Sequence, residues 1–258
     1  MGGSDLQKAF ADLLLRHVVP IFGIIHGKWL LQGNGFLISA SNSSYLVSAA
    51  HVFDRQKHNI DIFYYIEPGV KRKIGGDDDE ALRGLPSDRN HQGNHYDVGI
   101  IKLGSIGLPP YPAVDKDSIP IQSLVPSSPR QGKTHLFLGF PKSQSKPNVR
   151  WREIESEPFA FYNLSVKEDA YDDLDIDPMS HIAVPFRKEQ FPGSGGMRDF
   201  PSLNGMSGSP IWLLDPEIST NCPAQTPIVG IFTDYRKCPD VLIGIDISFA
   251  LDMIREVD

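Results

Sequence analysis

Short runs of apolar and β-branched residues recur along the whole chain, and glycine, proline, asparagine or serine separates each run from the next. The 23 glycines and 21 prolines make up about 17% of the 258 residues, where about 12% is usual. Short runs bounded by turn residues are typical of β-strands, so the pattern predicts an all-β chain. The predicted strands are residues 18–25, 29–31, 35–38, 45–47, 60–66, 98–103, 135–139, 151–154, 159–162, 181–184, 211–214, 228–232 and 241–247.

Helical spacing of apolar residues occurs at the two ends of the chain. Residues 5–17 predict a short N-terminal helix, which follows four residues that look like a cloning remnant. Residues 248–257 predict a C-terminal helix with Ser248 as its N-cap. The proline-rich stretch 104–131 is predicted to connect two halves of similar size, and the polar stretch 71–94 to form an exposed loop.

Charge and composition exclude several classes of function. The formal net charge is −7 and the pI is near 5.6, which argues against non-specific binding of nucleic acid. No apolar run approaches the roughly 18 residues that a membrane-spanning helix needs. Charged residues interrupt the stretch 5–20, so it does not resemble a secretory signal, and we expect a cytoplasmic protein. Cys222 and Cys238 match no zinc pattern, and two free thiols are favoured over a disulfide.

Three short motifs contain residues suited to nucleophilic catalysis. Ser207 lies in G-M-S-G-S-P (205–210), His51 ends S-A-A-H (48–51) at the end of a predicted strand, and Asp97 opens D-V-G-I (97–100). A serine hydroxyl needs a base to take its proton, and a carboxylate can orient that base. Taken singly, the three are equally well interpreted as a Gly/Ser turn, a strand-end histidine and a turn aspartate. Their joint occurrence in the order His, Asp, Ser favours the catalytic interpretation.

In these motifs the chain resembles the trypsin-like, chymotrypsin-fold serine peptidases. The resemblance implies two packed six-stranded antiparallel β-barrels, the first over residues 18–125 and the second, with the C-terminal helix, over 126–258. It implies that Ser207 is the nucleophile, His51 the general base and Asp97 its orienter. The backbone N–H groups of Gly205 and Ser207 would form the oxyanion hole, with no cofactor and no metal.

The chain differs from the family pattern at positions that indicate which branch of the family it resembles. Met206 replaces the aspartate that precedes the nucleophile in animal digestive enzymes, so the chain looks closer to the bacterial and HtrA-like branches. By the same resemblance, Asp246, or Asp234 near the wall of the substrate pocket, would favour a basic substrate side chain if it reached that pocket. Exposure of these residues on the protein surface is an equal alternative. The substrate pocket is expected to include Pro201, Ile231, Phe232, Thr233, Gly244 and Asp246.

These observations predict a serine endopeptidase that cleaves protein or peptide substrates through an acyl-enzyme. Similar domains serve in bacterial stress and defence systems, which suggests regulation by an activating protein partner. The alternative is a catalytically silent trypsin-fold module that recognises a protein. Two other sites are disfavoured. The acidic residues Asp173, Asp175 and Asp177 lack the glycine of a calcium loop, and no histidine follows Ser207 as an α/β-hydrolase would require.

Overall fold

The computed structural model describes residues 12–41, 43–54, 61–67, 70–74, 80–83, 96–103, 118–126, 130–148, 153–186, 201–214 and 226–258. These ranges form two curled antiparallel sheets, which confirms the predicted all-β fold with two barrel halves. The described α-helices are short: residues 12–15, α1 (Ala50–Phe53), α2 (Ala170–Asp173) and α3 (Ser248–Arg255).

The first sheet contains eight strands, of which seven follow the order β5-β4-β1-β2-β3-β7-β6 and the eighth, β8, runs parallel to β2. β2 is a single strand of 13 residues across both runs predicted there, and most of its side chains are buried. It therefore contributes to the first barrel and to the contact between the halves. The strands are β1 (Val18–Ile25), β2 (Lys28–Ala40), β3 (Ser43–Ser48), β4 (Ile62–Glu67), β5 (Val70–Lys73), β6 (Glu80–Arg83), β7 (Gly99–Leu103) and β8 (Ile119–Pro120).

The second sheet contains six strands in the order β12-β9-β14-β15-β16-β13. Its two edges approach each other where the Asn163 side chain of β12 donates a hydrogen bond to the Pro185 carbonyl of β13 at 3.1 Å. A separate hairpin joins β10 to β11. The strands are β9 (Thr134–Gly139), β10 (Ser145–Asn148), β11 (Glu153–Ser156), β12 (Phe159–Leu164), β13 (His181–Pro185), β14 (Pro210–Leu214), β15 (Ile228–Lys237) and β16 (Asp240–Asp246).

One apolar cluster spans both halves and the C-terminal helix. It joins Phe36 of β2 and Val47 of β3 to Trp212 of β14, Ile231 of β15 and Leu251 of α3. Each half also has its own cluster, one centred on the first sheet and one on the second. Because burial of apolar area is the main favourable term in folding, the shared cluster holds the halves together.

Several local predictions need correction. His51 does not end a strand: β3 stops at Ser48, and His51 lies in the one-turn helix α1. The stretch 71–94 contains most of β5, the buried Ile74 and β6, whereas residues 75–79 and 84–94 lie outside the described residues. The C-terminal helix begins at Ser248, but its N-cap is Ile247. Residues 12–15 are helical, whereas residues 1–4, residues 5–11 of the predicted N-terminal helix and most of the connector are not described.

Candidate active site

His51 and Asp97 form a dyad at the edge of the first sheet. The Asp97 carboxylate accepts a short hydrogen bond from His51 Nδ1 and a second, at 2.9 Å, from the His51 backbone N–H. With its proton on Nδ1, the neutral imidazole leaves Nε2 as an acceptor. The side chains are 47% and 27% exposed, respectively, so the dyad faces solvent and an incoming substrate.

The close packing of α1 on β7 brings the dyad together. A Cβ on Gly99 would lie 2.7 Å from Phe53 Cδ2 and 3.0 Å from Ala50 Cα, so only glycine lets the helix approach the strand this closely. The Ala50 N–H also donates to the Asp97 carbonyl at 3.3 Å. Ala50 of the first motif and Gly99 of the second are therefore small because α1 and β7 pack closely together.

Ser207 lies in a tight turn just before β14. The Gly208 N–H donates to the Phe232 carbonyl at 2.7 Å, and Ser209 donates to the Met206 carbonyl from both its N–H and its hydroxyl. Gly208 has a φ of +88°, and a Cβ there would lie 2.0 Å from the Asn34 carbonyl oxygen. This position therefore excludes any side chain, which accounts for the glycine that follows the serine.

Asn34 of β2 holds the turn from the opposite side. Its side-chain amide donates to the Gly205 carbonyl at 2.7 Å and to the Phe140 carbonyl at 3.1 Å, and its amide oxygen accepts from the Phe140 N–H at 3.0 Å. Its backbone N–H donates to the Ser207 carbonyl at 2.8 Å. Asn34 is fully buried, so these bonds are not exchanged with water.

In two peptide groups of the turn, a hydrogen bond holds the carbonyl, and the N–H of the same peptide group points in the opposite direction. The Asn204 carbonyl accepts from the Lys142 N–H at 2.7 Å, and the Met206 carbonyl is held by Ser209. In a trans peptide the C=O and N–H point in opposite directions, so the N–H groups of Gly205 and Ser207 face the other way. Neither N–H has a hydrogen-bond partner among the described residues, and both residues line the cleft.

The Ser207 hydroxyl donates to the Thr233 carbonyl at 3.2 Å. Thr233 lies at an irregularity of the β15–β16 register, between the pairs formed by Phe232 and Asp234. A bulge of this kind turns a residue out of the ladder, which frees its carbonyl for Ser207. Within the described ranges, no hydrogen bond joins Ser207 to His51, although both line the same cleft.

Two cavities flank Ser207 and share His51, Thr233 and Asp234. The first, called here the lysine cavity, measures about 390 Å³. The second, called the acidic cavity, measures about 410 Å³. The described residues that complete the lysine cavity are Leu31, Gln32, Lys142, Leu203, Asn204, Gly205, Phe232, Tyr235 and Lys237. Those that complete the acidic cavity are Asp97, Asp175, Ile176, His181, Arg236, Ile243 and Ile245.

The structure places the six residues that are expected in the substrate pocket in different surroundings. Phe232 and Thr233 line the lysine cavity, whereas Pro201 is half-buried and lines neither cavity. Ile231 is fully buried in the shared apolar cluster. Gly244 faces Ile211, whose Cδ1 would lie 2.2 Å from a Cβ at that position, so it belongs to the second barrel's interior.

Asp246 does not reach the pocket, and its assignment there is wrong. Its carboxylate is 3% exposed and forms an ion pair with Arg130 at 2.5 Å. Its other oxygen accepts from the Ser248 N–H at 2.8 Å, at the start of α3. Arg130 also donates to the carbonyls of Pro178, Met179 and His181. A buried carboxylate needs such partners, and they hold Asp246 in a structural position.

Two titratable side chains of the cleft have shifted pKa values. Burial lowers the pKa of His181, and the charges of Arg130 and Arg236 act in the same direction against the opposing influence of Asp177. Burial also raises the pKa of Tyr235 to about 12, with help from its hydrogen bond to Asp240. At neutral pH the uncharged imidazole of His181 and the protonated phenol of Tyr235 are therefore favoured.

Other predicted features can be placed in part. Cys238 is a free, exposed thiol, whereas Cys222 lies outside the described residues. In the part of the chain that is described, no group of three or more His, Cys, Asp or Glu side chains is arranged to hold a metal ion. Across those same ranges, no helix has the length and apolar character needed to span a bilayer.

Sequence reasoning missed Asn34 and both lysines of the cleft. The glycines at 33 and 35 are a signal for Asn34, because a polar residue between two glycines inside an apolar strand indicates close backbone contact. Lys142 and Lys237 carry no such signal, because their place in the cleft depends on tertiary packing.

No protein-family model matches the chain, and no curated protein matches it. Solved structures do. The inactivated protease paralogue S-I1 of the scabies mite has a TM-score of 0.56 and 16% identity, with 94% of each chain covered. Granzyme C has a TM-score of 0.55 and 12% identity, with 93% of each chain covered. At these identities the likeness concerns the fold, which is the chymotrypsin-like fold of serine proteases.

Proposed function

We propose that the protein is a serine endopeptidase that hydrolyses peptide bonds through an acyl-enzyme. The observation that carries the proposal is the convergence of three groups on one cleft: the Asp97–His51 dyad, the Ser207 hydroxyl, and the N–H groups of Gly205 and Ser207, which have no partner among the described residues. These are a base, a nucleophile and donors for a developing oxyanion.

The reaction begins when a substrate carbonyl occupies the space beside Gly205 and Ser207. The Ser207 hydroxyl turns from the Thr233 carbonyl to His51 Nε2, which takes its proton as Oγ attacks the carbonyl carbon. Asp97 stabilises the imidazolium, and the two N–H groups bind the oxyanion. His51 then protonates the leaving amine, and a water molecule hydrolyses the ester by the same steps.

The alternative function is a catalytically silent module that recognises a protein partner. The hydrogen bond from Ser207 to the Thr233 carbonyl favours it, because a hydroxyl held there is not activated by His51. One structural neighbour is an inactivated protease paralogue, which illustrates that this fold also occurs in a protein without protease activity. The hydroxyl needs only a rotation about χ1 to leave Thr233, so we favour the enzyme.

Labelling with a fluorophosphonate probe, followed by intact mass, separates the two functions. We expect one adduct on the wild type and none on Ser207→Ala, with peptide cleavage reduced at least about 10³-fold in the variant. Ser143→Ala is the matched control, because its exposed hydroxyl lies outside both cavities, and it should label normally. Equal labelling of the wild type and Ser207→Ala would refute the peptidase.

The proposal also covers the branch of the family, the regulation of the protein and its location in the cell. The side chain of Met206 is buried in the second barrel's apolar cluster, so a released N-terminal ammonium has no carboxylate at that position to pair with. On the basis of Met206 we propose a relation to the bacterial, HtrA-like branch, whereas a role in stress or defence and activation by a protein partner remain predictions from the sequence. A cytoplasmic location remains a prediction from the sequence.

A further inference from the structure

We propose that the lysine cavity binds an acidic side chain of the substrate, next to the scissile carbonyl. This deepens the proposed function and rests on it. Because Gly205 and Ser207 form part of the cavity wall, an occupant of the cavity belongs to a residue that flanks the attacked carbonyl. A volume of about 390 Å³ is ample for one side chain.

The cavity has two ammonium groups that are not neutralised. The Lys142 backbone is fixed by its hydrogen bond to Asn204, and its Cβ would lie 3.0 Å from a Cβ on Gly205, so the side chain starts beside the oxyanion donors. Lys237 ends β15 on the rim. Both residues are exposed, and within the described ranges neither ammonium has an ion pair or a hydrogen bond.

The acidic group of the cavity is already engaged. One oxygen of Asp234 lies 3.9 Å from Arg236 Nε, on the side of the acidic cavity, and the other accepts from the Tyr235 N–H at 2.8 Å. Asp246, the other acid that would favour a basic side chain, is paired with Arg130 away from the cleft. The local charge of the lysine cavity therefore favours an anion, whereas the family resemblance implies a basic side chain only if Asp246 or Asp234 supplies the charge of the pocket.

A second, independent feature indicates a peptide ligand. Gln32 lines the same cavity and is 5% exposed, yet its Oε1 has no hydrogen-bond partner among the described residues, while its Nε2 donates to the Leu30 carbonyl at 2.8 Å. A buried acceptor without a donor is costly. A backbone N–H of a bound peptide would satisfy it.

The two cavities differ in the sign of their charges. Apart from Asp234, which both cavities share, the acidic cavity contains Asp97 and Asp175 against Arg236, with His181 buried and its neutral form favoured. A glutamate or aspartate side chain is therefore repelled from that side and attracted to the lysine side. This polarity fixes where along the cleft the acidic residue binds.

The test measures binding without turnover. Three fluorescein-labelled hexapeptide libraries carry Glu, Gln or Lys at one fixed position and uncharged residues elsewhere, and their binding to Ser207→Ala is followed by anisotropy at low salt. We expect the Glu library to bind about 3- to 10-fold more tightly than the Gln library, with the Lys library weakest, since each exposed ion pair contributes modestly. High salt should reduce the difference.

Charge reversal on the same Ser207→Ala background identifies the lysines. Lys142→Glu combined with Lys237→Glu should reverse the order of the Glu and Lys libraries, and the milder Lys142→Gln with Lys237→Gln should abolish the preference. Lys146→Glu is the matched control, because Lys146 is an exposed lysine of β10 outside both cavities, and it should preserve the preference. Thermal unfolding of each variant verifies that it is folded.

The outcomes separate this inference from the peptidase. Equal binding of the Glu and Gln libraries, or an unchanged order in both lysine double variants, overturns the acidic subsite even if the wild type labels with fluorophosphonate. A Glu preference that the lysine variants abolish, found together with no labelling of the wild type, supports the acidic subsite and overturns the enzyme.

Discussion

A single buried residue, Asn34, connects the two halves at the nucleophile. Its side chain bridges Gly205 of the turn and Phe140 after β9, its N–H holds the Ser207 carbonyl, and its own carbonyl accepts from the Ser48 hydroxyl at 2.5 Å. Ser48 is followed directly by the segment that carries His51. Asn34 is therefore a positioning residue that couples base and nucleophile without touching the substrate.

Replacing Asn34 with alanine should cost both stability and reactivity. The variant removes the side-chain hydrogen bonds to the Gly205 carbonyl, the Phe140 carbonyl and the Phe140 N–H, so we expect the free energy of unfolding to fall by about 2 kcal/mol or more. A displaced turn should slow fluorophosphonate labelling about 10- to 100-fold. Asn163→Ala is the control, since it removes the Pro185 bond far from the cleft and should leave labelling unchanged. Equal labelling rates in the two variants would show that Asn34 does not position the turn.

At this scale, the sequence predicts residues whose chemistry is local and misses those whose role depends on packing. His51, Asp97 and Ser207 lie in short motifs whose small neighbours allow close approach, so the motifs contain their own structural reason. Asp246 was misplaced because alternation along a strand does not reveal that Arg130, 116 positions away, neutralises it. Long-range ion pairs leave no local pattern.

Among the elements, β9 contains an unusual buried group. His135 is fully buried between β12 and β14, and neither ring nitrogen has a partner among the described residues. Burial, aided by the positive charge of Arg130, lowers the pKa of His135 to about 4 against the opposing influence of the nearby Lys133 backbone. The imidazole is therefore neutral in the folded protein at pH 7, and β9 accommodates it as an apolar side chain.

The consequence is a loss of stability in acid. Between the ordinary pKa of 6.5 and the folded value near 4, the unfolded chain binds more protons, so the free energy of unfolding falls as the pH drops through this window. His135 should account for about 2 kcal/mol of the loss between pH 7 and pH 5. Urea unfolding of His135→Leu should show a correspondingly smaller difference between these pH values. A residual slope is expected from His181, whose pKa shifts in the same direction. An unchanged pH dependence in the variant would contradict the assignment.

Element types were largely predictable because strand runs and turn residues alternate clearly, but their boundaries were not. β2 continues through Gly33 and Asn34, which are predicted to separate two strands, because both residues pair with β1. β8, of two residues, and α1, of four, are too short to produce a periodic signal. The position of β8 is set by its pairing with β2, and that of α1 by its packing on β7.

The whole molecule depends on the apolar cluster that both halves and α3 share. Phe249 of α3 stacks on Tyr96, next to Asp97, with ring centroids 3.9 Å apart, and the Lys102 ammonium of β7 donates to the Val257 carbonyl just after the helix at 3.1 Å. The helix that follows the second barrel therefore packs on the first. Because the shared cluster stays buried only while the two halves are docked, we expect them to unfold together.

Leu251→Ala tests this cooperativity at the centre of the shared cluster. Leu251 is 4% exposed, and its truncation should lower the free energy of unfolding by about 2–4 kcal/mol. In a urea series read by hydrogen exchange, β3 of the first sheet and β14 of the second should lose protection at one common midpoint, shifted by the same amount in the variant. Leu164→Ala, at a leucine that is 50% exposed, should shift neither strand. Separate midpoints for β3 and β14 would mean that each barrel is stable alone, and that the cleft can open by undocking while both barrels stay folded.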